Sequence, residues 1–450
     1  MRCKTERHQI RHGQPEYDKL SQIGECAKNL RNVIVWYTRQ HFFNKSGKDY
    51  TEDVFSDVKS KYLNYYTLYK YVKEQNIPEF RMLPANVAQD IIRRVVREWT
   101  VYKKLLKMKA EGTYTEKVGI PRYIKKNSFY NTIYMRATLS DKSLKENIVD
   151  IPKTDISVKT LHADTLRQVN VSYRTGIWFI DVVYEDRTEI PEKTLSAVAL
   201  GIDCGIDNFA TIVANDAAFR PVIFDGRELK SINRYYNKLI SQYKSQKSLD
   251  EPDFTGSDEN TDKMWAERFN RIIDIMHLYS RRAVDLAMAE NASAIVIGHT
   301  DRWKDSMNIG KVNNQNFAYI PYNTFIEQVK YKAAEVGIEV ILREESYTSK
   351  SSFFDDDAIP VYGEENETGV KHTFSGKRIK RGLYKTKDGI VINADVNGAL
   401  NILRKHLNVS SKEIIPLECI GVVMAPRRVR ISELRPRRKA CKIFNAIARI

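Results

Sequence analysis

The chain has 450 residues, and its 42% hydrophobic content is enough for packed globular domains, about three by length. Its 73 lysines and arginines outnumber 57 acids, a formal net charge of +16, which points to a polyanionic partner. No run approaches the ~18 apolar residues of a membrane-spanning helix, the polar start MRCKTERHQIRHGQPEYDK lacks the apolar core of a secretory signal, and five scattered cysteines without a C-x-x-C pair argue against a zinc ribbon or disulfide framework and suit a reduced cytoplasm.

Residues 20–43, LSQIGECAKNLRNVIVWYTRQHFF, place Ile23, Ala27, Leu30, Val33 and Ile34 at helical spacing. Residues 60–74 read as a second helix, and 83–109 as a third, with Pro84 near its start and Val87, Ile91, Val95 and Trp99 on one face. Region 19–110 is thus a helical unit with arginine and lysine on its polar faces. From 111 to 195 β-branched and aromatic residues dominate; LRQVNVSYRTGIWFIDVVYE breaks at Arg174, Thr175 and Gly176 and reads as a hairpin. The expectation here is a small β-barrel or sandwich, with residues 1–18 supplying its first strand.

At 196 an α/β pattern begins. SAVALGID and FATIVAND read as adjacent strands, 228–247 as a basic helix, 248–263 as an acidic loop, and 265–291 as a long amphipathic helix. ASAIVIGH is a strand, TFIEQVKYKAAEVG a helix ending at Gly337, IEVILREE a strand, and NADVNGALNILRKHL a helix with Asp395 in its opening turn. Alternation of this kind makes a layered α/β domain, 196–351 with 391–450, interrupted by the irregular segment 352–390. Basic clusters with neighbouring tyrosines recur along the chain, a composition suited to phosphate contacts and base stacking.

Three acidic positions stand at comparable places. Asp203 and the pair Glu344, Glu345 end strands, and Asp395 opens a helix. Strand ends on one edge of an α/β sheet converge on a crevice, and carboxylates gathered there suit Mg2+ and phosphodiester hydrolysis. Each also has a plainer role: Asp203 beside a turn at CGIDN, the glutamates as a solvated strand end, Asp395 as an acid at a helix N-terminus. Asp207 is a turn residue.

The set GIDCGIDNFAT, IVIGHTDRWK followed by NQNF, EESYTSK, FSGKRIKRGLYK and INADVNGALNIL, in this order across 196–405, resembles the TnpB family of transposon-encoded RNA-guided DNA endonucleases, relatives of the type V CRISPR effectors. The resemblance implies a RuvC-like, RNase H-type nuclease domain, a helical recognition lobe at 19–110 and a wedge-like barrel at 111–195. It implies a D…E…D site with two Mg2+ ions in which Asp203 is the first acid and Asp395 the last. The usual middle glutamate, at the end of AIVIGHT, is absent; Gly298 and His299 stand there. Some family members carry it just before Y-T-S, which is Glu345 here, with Glu344 pointing away by strand alternation and Asp301 a weaker substitute. The family's four-cysteine zinc ribbon lacks every cysteine in 352–390, so no zinc is expected and Phe353, Phe354 and Tyr384 are left to hold that segment.

A guide RNA in the basic channel between lobes would pair with one strand of double-stranded DNA, one protein per RNA. Arg93, Arg94, Lys103, Lys104, Lys350, Lys377, Arg378, Lys380 and Arg381 are the candidate nucleic-acid contacts. The resemblance also admits a compact CRISPR effector, or a nuclease-inactive RNA-guided repressor, although the latter would have lost its acids. A prokaryotic cytoplasmic setting is implied.

Overall fold

The computed structural model describes residues 2–48, 53–299, 320–361 and 372–435. They form a mixed α/β protein of two compact units, one of residues 1–188 with 255–266, the other of 189–254 with 267–450.

The first unit runs β1 Cys3–Arg11, α1 Pro15–Asn44, α2 Tyr65–Glu74, α3 Pro78–Met82, α4 Ala85–Ala110, β2 Thr132–Met135, α5 Asp141–Lys145, β3 Ile148–Asp150, β4 Ser157–Lys159, β5 Leu166–Arg174 and β6 Ile177–Glu185. Thr175 and Gly176, both at positive φ, make the two-residue turn between β5 and β6 that the sequence predicts. The N-terminal strand pairs antiparallel with β6.

The expected barrel is not found. The strands form an open antiparallel sheet in the order β1-β6-β5-β2, with β3 and β4 a separate hairpin. Helix α1, rather than further strands, covers the buried face. Gly24 admits it, because a Cβ there would lie 2.4 Å from the Trp178 ring. Trp178 is fully buried, and its indole N–H donates to Ser21 at 3.0 Å. Helices and sheet therefore share one core, which runs from Leu20, Leu30 and Ile34 through Val87 and Ile91 to Val169, Ile180 and Val182.

The second unit runs β7 Ala199–Cys204, β8 Asn208–Ala214, β9 Val222–Asp225, α6 Arg227–Asp250, α7 Glu259–Ala289, β10 Ala294–His299, α8 Tyr322–Ala334, β11 Glu339–Glu344, β12 Lys377–Lys380, β13 Leu383–Lys385, β14 Val391–Asn393, α9 Ala394–Leu407, α10 Ser411–Ile414, α11 Ile420–Met424, β15 Arg427–Val429 and α12 Ile431–Leu434. The first turns of α7, to residue 266, group with the first unit. The loop expected at 248–263 is shorter: α6 continues to Asp250, and Asp258, accepting from the Thr261 backbone N–H at 2.9 Å, starts α7 at 259. Its breakers stop one helix, while its last acids begin the next.

The six-stranded sheet has the order β11-β10-β7-β8-β9-β15. Pairs β7–β8 and β8–β9 are antiparallel, and the remaining pairs parallel. Strand alternation divides β7. Leu200 and Ile202 join the core with α7 and α8, and Ala199 joins the core with α9.

Lys332 of α8 is buried and donates to the His277 carbonyl at 2.9 Å and Ser280 Oγ at 2.6 Å. Burial first, then Arg281, depresses its pKa from 10.5 to about 8. A lysine depressed on folding binds its proton less readily than in the unfolded chain, so stability rises with pH between those two values. Lys332→Met is therefore expected to be more stable than wild type at pH 7, and thermal unfolding should show that advantage shrinking as the pH rises from 8 towards 10.5.

Candidate active site

Asp203 lies on the β7 face shared with Ala199 and Gly201, and that face meets α9. The approach is close because two positions lack side chains. A Cβ on Gly201 would stand 2.8 Å from the Ala399 carbonyl oxygen, and one on Gly398 would stand 2.7 Å from Asp203 Oδ2. Helix α9 starts where it does because the Asn393 side chain accepts from the backbone N–H of Asp395 at 2.9 Å and of Val396 at 3.2 Å. Asp395 thus sits one turn before Gly398, at the end of α9 that abuts Asp203.

Glu345 reaches the same place from the next strand. Its Oε2 lies 3.1 Å from the position a Cβ on Gly298 would take. The same Cβ would meet Ile402 Cδ1 of α9 at 2.4 Å, so the glycine near the end of β10 leaves room for α9 as well as for the Glu345 carboxylate. The turn after Glu345 is fixed by hydrogen bonds. Thr348 donates through N–H and Oγ1 to the Glu345 carbonyl at 3.2 and 2.8 Å. Tyr347 adopts the left-handed region, φ 62°, with its carbonyl accepting from the Ser351 N–H at 2.9 Å. Asn397 and Asn401 of α9 donate to the carbonyls of Ser351 and Thr348, and the Phe353 N–H donates to Asn397. These contacts give Y-T-S-K and the two α9 asparagines one physical role: they lock the Glu345 turn onto the helix that carries Asp395.

Burial, then the charges of Asp395 and Glu345, push the Asp203 carboxyl well above the usual carboxylate range, while Arg378 pulls it back. The neighbouring Cys204 thiol is pushed up by burial and by Asp203 and Glu345. Glu344 belongs elsewhere. It accepts from Lys405 Nζ at 2.6 Å and the Ser346 N–H at 2.8 Å. Burial acts to raise its carboxyl, but these bonds outweigh it and leave the group below the usual value. Asp301 lies outside the described residues. Asp207 pairs with Lys230 at 2.5 Å and with Arg381.

Among the described residues no group of three or more His, Cys, Asp or Glu donors is arranged to hold a metal ion. The donor chemistry is nevertheless that of a hard divalent cation: three carboxylates, two of which destabilise the ionised form of the third. In a two-ion site the acids are shared between ions ~4 Å apart and need not converge on one point.

The candidate nucleic-acid residues divide between the units. On α4, Arg93 lies over the Tyr65 ring, Lys103 over Tyr62, and Lys104 is exposed. Arg94 is turned inward: it pairs with Asp90 at 2.8 Å, donates to the Asn131 carbonyl at 2.9 Å and covers Tyr130. In the second unit Lys350 lies over Tyr347, and β12 with its turn exposes Lys377, Arg378, Lys380 and Arg381. Arg378 stands 3.7 Å from Asp395 Oδ1, so this basic hairpin borders the acids.

The segment preceding that hairpin is held by carboxylates as well as by the buried Phe353 and Tyr384. Asp355 accepts from Ser352 Oγ at 2.5 Å, Ser375 Oγ at 3.0 Å and the Lys387 N–H at 2.9 Å, and Asp357 accepts from the N–H groups of Ser352 and Ser375. Asp355→Ala should loosen this clasp by about 1–3 kcal/mol. Limited trypsin digestion should then cut at Lys377–Lys387 well before wild type is cut there.

Residues 181–304 match the family model described as a probable transposase of the OrfB_IS605 type, and residues 322–402 match the Cas12f1-like TNB domain. The TnpB-like protein ORF457 of Acidianus two-tailed virus is 24% identical over 435 residues, 88% of this chain and 85% of its own length. Together these matches support membership of the TnpB family. A CRISPR-associated endodeoxyribonuclease Cas12f1 from Sulfoacidibacillus thermotolerans is 31% identical over 127 residues, 28% of this chain and a quarter (25%) of that protein. Among solved structures, a Cas12f1–sgRNA–target DNA complex aligns over 86% of this chain and 82% of its own at 12% identity, with a TM-score of 0.47. Within the TnpB family frame, the sequence missed Gly298 and Gly398 as makers of space and Asn208 as a neighbour of Asp395. The available signal for Asn208 was one amide opening the largely apolar strand NFATIVA.

Proposed function

We propose that this TnpB family member is an RNA-guided DNA endonuclease whose second unit is a RuvC-like nuclease domain with Asp203, Glu345 and Asp395 as its catalytic acids. The observation that carries the reading is that Asp203 packs against Gly398, one turn from Asp395 on α9, and is perturbed by the charges of Asp395 and Glu345. Mg2+ held by these acids would supply water activation and leaving-oxygen stabilisation for phosphodiester hydrolysis. The chain's own residues do the rest. Arg378 and Arg381, with Lys377 and Lys380, bring positive charge to the edge where a DNA backbone must approach, and Gly298 leaves room for Ile402 and Glu345. Arg93, Lys103 and Lys104, exposed on α4, fit phosphate contacts of the helical region 19–110 acting as a recognition lobe beside the sheet of 111–195. Similarity running through 88% of the chain to a TnpB-like protein favours a transposon-type guide over a CRISPR array.

The test is to express the chain with its flanking DNA, sequence the RNA that co-purifies, change the guide segment, and assay cleavage of matched DNA with Mg2+. Absence of any defined bound RNA, or cleavage indifferent to the guide, would refute the proposal.

A further inference from the structure

Asp395 has a hydrogen-bond partner in the GIDCGIDNFAT stretch that also carries Asp203. Asn208, the first residue of β8 and buried, donates its Nδ2 amide to Asp395 Oδ2 at 2.6 Å. Its Oδ1 accepts from Arg428 Nη2 at 2.8 Å. Arg428 Nη1 stands 3.5 Å from Asp225 Oδ1. Asn208 and Asp225 are register partners on β8 and β9, and Arg428 comes from β15, which adds to β9 as the sheet's edge strand. A part of the basic C-terminal region thus lies in the sheet, within two hydrogen bonds of the acidic cluster.

We infer that Arg428, acting through Asn208, is a positioning residue for the Asp395 carboxylate; the inference rests on the nuclease reading of the acids. The chemistry is directional. An arginine can only donate and an ionised carboxylate can only accept. Between them the Asn208 amide has one satisfactory orientation, oxygen towards Arg428 and NH2 towards Asp395. Flipped, it would set its oxygen against a carboxylate and its NH2 against a guanidinium. Asp225 keeps the guanidinium in place, and Arg227, bonded to Asp225 at 2.9 and 3.0 Å, steadies that carboxylate in turn. With Oδ2 held by Asn208, Oδ1 is the oxygen turned towards Arg378, 3.7 Å away. Hydrogen-bond partners of this kind orient a metal-binding carboxylate, and losing one weakens metal affinity by about 10–100-fold.

Charge alone predicts the opposite sign. Arg428 is a cation near the acids, so removing it should tighten binding of a divalent ion if Coulomb attraction were its only effect. The experiment uses Mn2+ as the probe, its binding to the purified full-length chain followed by electron paramagnetic resonance, alongside the Mg2+ dependence of cleavage. Asp395→Ala should remove the Mn2+ site. Arg428→Ala and Asn208→Ala should each weaken Mn2+ binding about tenfold and raise the Mg2+ needed for half-maximal cleavage by a similar factor. Arg428→Met, which keeps the stem and drops the donors, should behave as the alanine variant does and covers the case in which alanine unfolds the edge strand; thermal unfolding identifies that case. Mn2+ binding unchanged or tighter in folded Arg428 and Asn208 variants overturns the positioning role while the nuclease reading stands. Wild-type Mn2+ binding that survives Asp395→Ala overturns both.

Discussion

Alanine at Asp203, Glu345 or Asp395 is expected to reduce guide-directed DNA cleavage by about 10^3-fold or more. Under the proposed function, losing a carboxylate that would hold the divalent ion removes several kcal/mol of transition-state stabilisation, and each 1.36 kcal/mol is tenfold in rate. The measurement is single-turnover cleavage of matched DNA with Mg2+, with RNA content and thermal unfolding checked in parallel. Glu344→Ala should cleave nearly as wild type, because Glu344 is bonded to Lys405 and Ser346 rather than to the cluster. A neutral Glu345→Ala beside an inactive Asp301→Ala would reassign the middle acid.

Gly201→Ala should damage both stability and cleavage. The new methyl would lie 2.8 Å from the Ala399 carbonyl oxygen and 3.0 Å from Leu403 Cβ. Neither is the flexible end of a side chain, so α9 itself must move away from β7. Overpacking of this kind costs about 1–3 kcal/mol, and urea unfolding should show it. Cleavage should fall by more than the unfolded fraction explains, since the same shift separates Asp395 from Asp203. Equal losses in both measurements would mean that the glycine serves packing alone.

The motif acids were legible because each marks a local structural event. Asp203 interrupts an apolar strand, and Asp395 follows a capping asparagine at the start of an amphipathic helix. The hairpin at Thr175 and Gly176 was legible for the same reason, since turn chemistry is local. The barrel was not. Alternating apolar residues specify a sheet with a face to bury, and say nothing of whether strands or a helix will cover it. Here α1 does, through Gly24. The loop at 248–263 was read from composition, whereas capping at Asp258 shortened it.

The sequence by itself pointed to a polyanionic partner, to the order of helical, β and α/β regions, and to the candidate acids, because charge, periodicity and caps are properties of neighbouring residues. Strand alternation in the sequence favours Glu345 over Glu344 as the companion of Asp203 and Asp395; the tertiary structure supplies what surrounds each of them. Glu344 and Glu345 are adjacent in the chain and alike in chemistry. They are separated by what surrounds them: Lys405 takes Glu344, while Glu345 lies near enough to Asp203 to perturb it. Likewise, nothing local links Asn208 with Arg428, 220 positions apart. They meet because β15 pairs with β9, and strand pairing over such a distance is written in the packing of the whole sheet.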